Sequence, residues 1–217
     1  MVQTLNTVVD LDFQLRGTTL PAEHGYSAFG ALIGPLPWIH DERGVGVHPI
    51  RGRLVGGRML ALMRWSRLTL RLPASRISEA LPLAGKTLEV GGSVLRVGLP
   101  TVRPLHPATT LISRLVVIKG FQEPEPFLEA ARRQAEALGV GGQLALVARA
   151  NDGSVEGLTG RAAGEPIRRT LRIRDKTIVG FALAATDLTA EESILLQEVG
   201  IGGRRRFGCG LFVPLRS

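Results

Sequence analysis

The chain has 217 residues, of which 44% are hydrophobic and 21% charged. That is enough apolar material for a packed core and too much for a disordered segment. No run approaches the ~18 uncharged apolar residues of a membrane-spanning helix, and the N-terminus lacks a basic-then-apolar signal, which predicts a soluble cytoplasmic protein with no membrane partner. Cys209 is the single cysteine, so an intrachain disulfide is excluded. No metal-ligand spacing is present either, and neither a metal nor a cofactor is expected.

The formal charge is +8, and of the 27 basic residues only Lys86, Lys119 and Lys176 are lysine. A net positive charge favours an anionic partner, and arginine's planar fork suits bidentate phosphate contacts and stacking on bases. A GC-rich genome would also raise arginine over lysine, so the ratio itself is ambiguous. The length exceeds one domain of roughly 100–150 residues and fits two compact domains.

Residues 4–16 alternate apolar and polar at Val9, Leu11, Phe13 and Leu15, the period-two signature of a half-buried strand. The segment HGYSAFGALIGPL places Tyr26, Phe29, Ala31, Leu32 and Ile33 near helical spacing, with Pro35 and Pro37 as terminators. Residues 58–72 give two short alternating runs, Ala74–Leu83 reads as a helix, and Lys86–Val97 as a hairpin turned at Gly91-Gly92.

The second half repeats the order: strand 110–118, helix Glu125–Leu138, strands 143–149 and 170–185, helix Thr189–Val199, and a final strand from Leu211. Thr189 with Glu192 forms a capping box, and Gly200 stops that helix. The polar, glycine-rich stretch 149–169 reads as a long connection that is mobile or ordered by a partner, and its basic end, Arg161–Arg174, could track a nucleic-acid backbone. The expected fold is α+β: two tandem ferredoxin-like (RRM-like) βαββαβ domains, at 1–104 and 105–217, with a C-terminal glycine-rich loop.

That loop, Gly200 to Phe212, carries Gly200-Ile201-Gly202 and Gly208-Cys209-Gly210 around Gly203, Arg204, Arg205, Arg206 and Phe207. Glycines let a backbone reach positive φ and approach a phosphate, and three arginines add the charge such an anion needs. A glycine-rich hairpin that only reverses the chain is the competing explanation, and the arginine run weighs against it. A P-loop and a dinucleotide fingerprint both fail on context, because here a helix precedes the loop and a strand follows.

This Gly-apolar-Gly, five-residue, Gly-apolar-Gly loop resembles that of the endoribonucleases that cut CRISPR repeat transcripts, members of the RAMP superfamily. The resemblance extends to the N-terminal strand, to PAEHGYSAFGALIGPLPWIHDERGVGVHPIRG and to TTLISRLVVIKG, and looks closest to the variant of Myxan-type type I systems. It implies paired ferredoxin-like domains, binding of repeat RNA and metal-independent cleavage. It also implies retention of the mature guide RNA, as a subunit of a type I surveillance complex. A non-catalytic guide-RNA-binding subunit of the same superfamily is the alternative. A general module of paired RNA-recognition folds is disfavoured by an aromatic content of only 5%.

Metal-free cleavage needs a base for the 2′-hydroxyl proton, an acid for the 5′-oxygen, and cations for the phosphorane charge. Histidine suits both proton roles. Of the four histidines, His24, His40 and His48 cluster around the first helix and its exit loop, whereas His106, between prolines, is set aside. His40 ranks first, since its Ile-His-acidic context resembles the position other members use. His48 could be a second catalytic group or a phosphate contact beside Arg51, while His24 could equally be a helix-start residue bonding locally. Tyr26 could orient a ribose or the scissile phosphate, or be a half-buried helix tyrosine. No lysine stands near these histidines, so charge neutralisation falls to Arg43, Arg51 or Arg53. The expected RNA contacts are Gly200, Gly202, Gly203, Arg204, Arg205, Arg206, Gly208, Gly210, Arg51, Arg114 and Lys119, with Ser113 alongside Arg114.

Overall fold

The structure, a computed structural model, describes residues 8–149, 155–156 and 164–215. The chain divides into two compact units. The first comprises Met1–Leu105 with Arg206–Gly208, the second His106–Arg205 with Cys209–Ser217.

In the first unit the elements are β1 (Val8–Arg16), β2 (Thr19–Pro21), α1 (Gly25–Ile33), β3 (Gly46–Val47), β4 (Arg53–Leu54), β5 (Met59–Ala61), β6 (Arg67–Pro73), α2 (Ile77–Ala80), β7 (Thr87–Val90) and β8 (Ser93–Pro104). The main sheet runs β3-β6-β1-β8-β7 and is antiparallel. Setting aside the added edge strand β7, this is the split βαβ order of a ferredoxin-like fold. Alternation in β1 sends Val9, Leu11, Phe13 and Leu15 into the core with Phe29 and Leu32 of α1. The opposite face of β1 carries Asp10, Asp12, Gln14 and Arg16.

In the second unit β9 (Leu111–Val116), α3 (Pro124–Ala137), β10 (Gln143–Leu146), β11 (Ala148–Arg149), β12 (Val155–Glu156), β13 (Glu165–Pro166), β14 (Arg168–Ile173), β15 (Lys176–Thr186), α4 (Ala190–Val199) and β16 (Val213–Pro214) follow in order. The sheet order β10-β15-β9-β16 repeats the ferredoxin-like arrangement. Phe127 of α3 packs on Phe181 of β15 at 4.9 Å between ring centres, within a core that also includes Leu196 and Phe212.

Four expectations from sequence need correction. The helix over 74–83 is broken into two 3-10 turns around the single α-turn 77–80, because Pro82 cannot donate to the ladder. The strand over 170–185 is two strands, β14 and β15, joined through Arg174, whose φ is 53°. Gln143 to Arg149 is interrupted at Val147, and the closing strand is only Val213–Pro214. There is also a small sheet, β2-β5-β4, whose β5 lies in the first of the two alternating runs over 58–72, whereas β2 and β4 are strands too short to show alternation. Most of the connection 150–163, including Arg161, lies outside the described residues, although β12 and β13 both pair with β11.

Candidate functional site

The glycine-rich loop has a distinct local geometry. Helix α4 begins with the expected capping box: the Glu192 amide donates to Thr189 Oγ1 at 3.2 Å, and the Thr189 amide to Glu192 Oε2 at 2.8 Å. It ends at Gly200, with φ 72°. A Cβ on Gly200 would stand 2.1 Å from the Gly210 carbonyl oxygen, and one on Gly210 would stand 2.3 Å from that of Ile201. The two Gly-apolar-Gly triplets are thus pressed backbone to backbone, which is why neither position accepts a side chain. The Gly210 amide donates to Leu115 at 2.8 Å and the Gly203 amide to Val117 at 2.9 Å, tying the second triplet and the residue after the first to the β9 segment. The Gly202 amide donates to Gln134 Oε1 of α3 at 2.8 Å, a supporting contact that sequence spacing did not signal.

The three arginines separate by role. Arg205 turns back on α4 and donates to the carbonyls of Val199 and Glu198, capping groups the helix leaves orphaned. Arg204, at φ 67°, is exposed. Arg206 belongs to the first unit, where its guanidinium lies 5.8 Å from the Phe29 ring centre and donates to the Glu42 carbonyl at 3.4 Å. Beside it, Phe207 packs against Tyr26 and Phe29 at 5.6 and 5.5 Å. Gly208 follows, closed in by Pro49 and Val47.

The three clustered histidines differ sharply. His24 is buried, with Nδ1 2.8 Å from the Pro21 carbonyl and Nε2 accepting from the Ile50 amide at 2.9 Å. Both ring nitrogens are engaged by backbone, which fixes the neutral tautomer with hydrogen on Nδ1. His48 points into a polar cluster on the non-core face of the main sheet, its Nε2 3.3 Å from Asp10 Oδ1. Asp10, fully buried, accepts two bonds from Arg71, at 2.8 and 2.9 Å, and lies 3.3 Å from Arg103. Arg103 also binds Asp12 at 3.0 Å, and Thr69 donates to Asp12 at 2.6 Å. Burial pushes the His48 pKa down, against the pull of the Asp10 carboxylate 3.3 Å away. Burial would raise the Asp10 carboxyl, but the nearby His48 ring and the two hydrogen bonds from Arg71 hold it well below the usual carboxylate range.

His40 alone of the three presents its ring to solvent, with 65% of the side chain exposed and Nδ1 3.2 Å from Asp41 Oδ1. The loop that carries it is braced: Arg76 binds Glu42 at 3.1 Å and lies 5.4 Å from the Trp38 ring centre, and Glu42 Oε1 accepts from the Gly44 amide at 3.2 Å. The first unit therefore gathers His40, Tyr26 and Arg206 around α1 and its exit turn. Arg51, on the strand of chain after His48, is exposed, as are Arg114 of β9 and Lys119 in the turn beyond it. Ser113 is buried.

Known proteins of this architecture are similar over nearly the whole chain. The family described as Cas6 Crispr matches residues 9–217. A CRISPR-associated endonuclease Cas6 of Myxococcus xanthus is 38% identical over 210 residues, 97% of this chain and 83% of that protein. A solved structure described as a RAMP protein binding different RNA substrates superposes with a TM-score of 0.65 at 12% identity, covering 96% of this chain and all, 100%, of the other. The product of a Cas6-related gene from Pyrococcus furiosus gives 0.61 at 11% identity, with 96% and 98% covered. The two structural likenesses are of fold, whereas the matches of family and of sequence reach across both units, and on them the chain belongs to the Cas6 CRISPR family.

Proposed function

We propose that this chain binds CRISPR repeat RNA and cuts the precursor transcript into guide RNA without a metal ion, His40 serving as the proton-transfer group. The observation that carries the reading is the contrast among the histidines: His24 and His48 have their rings committed inside the first unit, and His40 faces solvent. Asp41 beside Nδ1 favours the tautomer with hydrogen there, which leaves the Nε2 lone pair outward as a general base. In the reaction Nε2 takes the 2′-hydroxyl proton, the 2′-oxygen attacks phosphorus and the P–O5′ bond breaks. The 5′-oxygen leaves with a proton returned by imidazolium or water, giving a 2′,3′-cyclic phosphate and a 5′-hydroxyl.

Arg206, which donates to the Glu42 carbonyl of this loop, would offset phosphorane charge, with Tyr26 as a hydrogen-bond donor to the phosphate or ribose. Gly203 and exposed Arg204 form the open part of the glycine-rich loop and would meet the RNA backbone. Exposed Arg51 of the first unit and exposed Arg114 and Lys119 of the second would also meet RNA. After cleavage the protein remains on the guide RNA as a subunit of a type I surveillance complex.

The test is incubation of end-labelled host repeat RNA with wild type, His24→Ala, His40→Ala and His48→Ala in EDTA. A single cut that survives EDTA and disappears in His40→Ala, with RNA binding kept, supports the reading. Tight binding by the wild type without any cut overturns it in favour of a non-catalytic guide-holding subunit.

A further inference from the structure

The non-core face of the first unit's main sheet changes character along its length. At one end Asp10 and Asp12 neutralise Arg71 and Arg103. At the other, the register places Arg67 opposite Gln14, and Arg96 opposite Arg16. Here an open concavity of about 490 Å³ is lined by Gln14, Arg16, Arg64 and Arg67, with Leu15, Gly17, Leu62 and Met63; none of these residues is acidic. Of the acidic residues on this face, Asp12, one same-face step from Gln14, is bound by Thr69 and Arg103, and Glu89 of the edge strand β7 stands opposite Val94.

Next to Arg64 in the same turn is Trp65, 54% exposed. The turn is rigid. Ser66 Oγ accepts from the Met63 amide at 2.9 Å and donates to the Arg51 carbonyl at 2.6 Å, and the Ser66 amide closes on Met63 at 2.9 Å. Arg67 Nη1 adds bonds to the Arg64 and Ser66 carbonyls at 2.8 and 2.9 Å. A tryptophan held exposed between arginines, beside a concavity that concentrates positive charge, is the pairing of stacking platform and phosphate contacts that single-stranded nucleic acid recognises.

We propose that this turn and concavity form a second RNA subsite, separate from the histidine loop, that takes a single-stranded stretch of the transcript. One base stacks on Trp65, Arg16 and Arg64 meet its flanking phosphates, and Gln14 offers an amide to a base edge. The proposal rests on the reading of this chain as an RNA-processing protein. It adds a binding site to that reading and no catalytic step.

The test uses the full chain and a short oligouridylate carrying 5-iodouridine, which photo-crosslinks to aromatic side chains. The crosslinked peptide should contain Trp65. Affinity should fall about tenfold or more in Trp65→Ala and return in Trp65→Phe. In Arg16→Ala/Arg64→Ala the salt slope of binding should shrink by about 1.4, about 0.7 for each lost contact. All these side chains are exposed, so the variants should melt with the wild type. If crosslinks map elsewhere and the variants bind as the wild type does, or if repeat RNA is cut while oligouridylate is not bound, the subsite is overturned and the processing function stands. If the wild type neither cuts repeat RNA nor binds either RNA, both fail together.

Discussion

His24 and His40 look alike in sequence, each at an edge of the first helix, yet their surroundings are opposite, one ring buried and the other in solvent. Replacing His24 by Ala leaves the Pro21 carbonyl and the Ile50 amide without partners in a buried place. We expect a loss of about 2 kcal/mol or more, read as a lower urea midpoint. His40→Ala should unfold with the wild type, because its ring meets solvent. The Asp10–His48 contact makes stability depend on pH with a definite sign. Folding favours neutral His48 and ionised Asp10, so the unfolded chain binds more protons in acid. Stability should therefore fall as pH drops below about 6.5, the unfolded histidine value, and again below about 4, that of an unfolded carboxylate. Thermal melts across that range should show both losses, and His48→Gln should shrink the first and, because His48 helps hold Asp10 low, reduce the second as well. A melting temperature independent of pH between 7 and 5 in the wild type would contradict this account of His48. That His40 is the open histidine could not be read from spacing, since the other two rings are engaged by residues remote from them in sequence, Ile50 for His24 and Asp10 for His48.

Among the elements, α4 and the loop after it were the most legible. Thr189, Glu192 and Gly200 are local signals, and a helix end is decided by its own neighbours. The purpose of the loop's glycines was not. Sequence suggests room for a phosphate, whereas at Gly200 and Gly210 the space is taken by the chain's own carbonyls, and at Gly202 by that of Val117. Gly202→Ala forces a Cβ to 2.4 Å from the Val117 oxygen at φ 77°, and should lower stability by roughly 2 kcal/mol. Gly203→Ala meets nothing within 4 Å and should change it by less than about 0.5 kcal/mol. Paired thermal melts of the two variants decide the point; equal destabilisation would mean the loop is not closed in this way. The helix over 74–83 fails for a reason visible in sequence, Pro82, whose effect on so short a segment outweighs its apolar spacing.

For the molecule as a whole, the +8 charge makes RNA binding salt-dependent. With about five phosphate contacts to a single strand, affinity should fall about a hundredfold between 50 and 200 mM salt, as titrations at several salt concentrations would show. An affinity indifferent to salt would exclude the arginine faces from binding. Residue order alone determined the repeated βαββαβ plan, because period-two and helical patterns in Val9–Leu15 or Phe127–Ala135 follow from which face each element must bury. It also determined the family, through a loop motif whose spacing is local. Tertiary structure alone decided that Arg206 and Phe207, near the C-terminus, pack with Tyr26, Phe29 and Glu42 of the first unit. It alone decided, too, which of three arginines caps a helix and which of three histidines stays open. Those outcomes depend on contacts between residues far apart in the chain, which a pattern of neighbours does not encode.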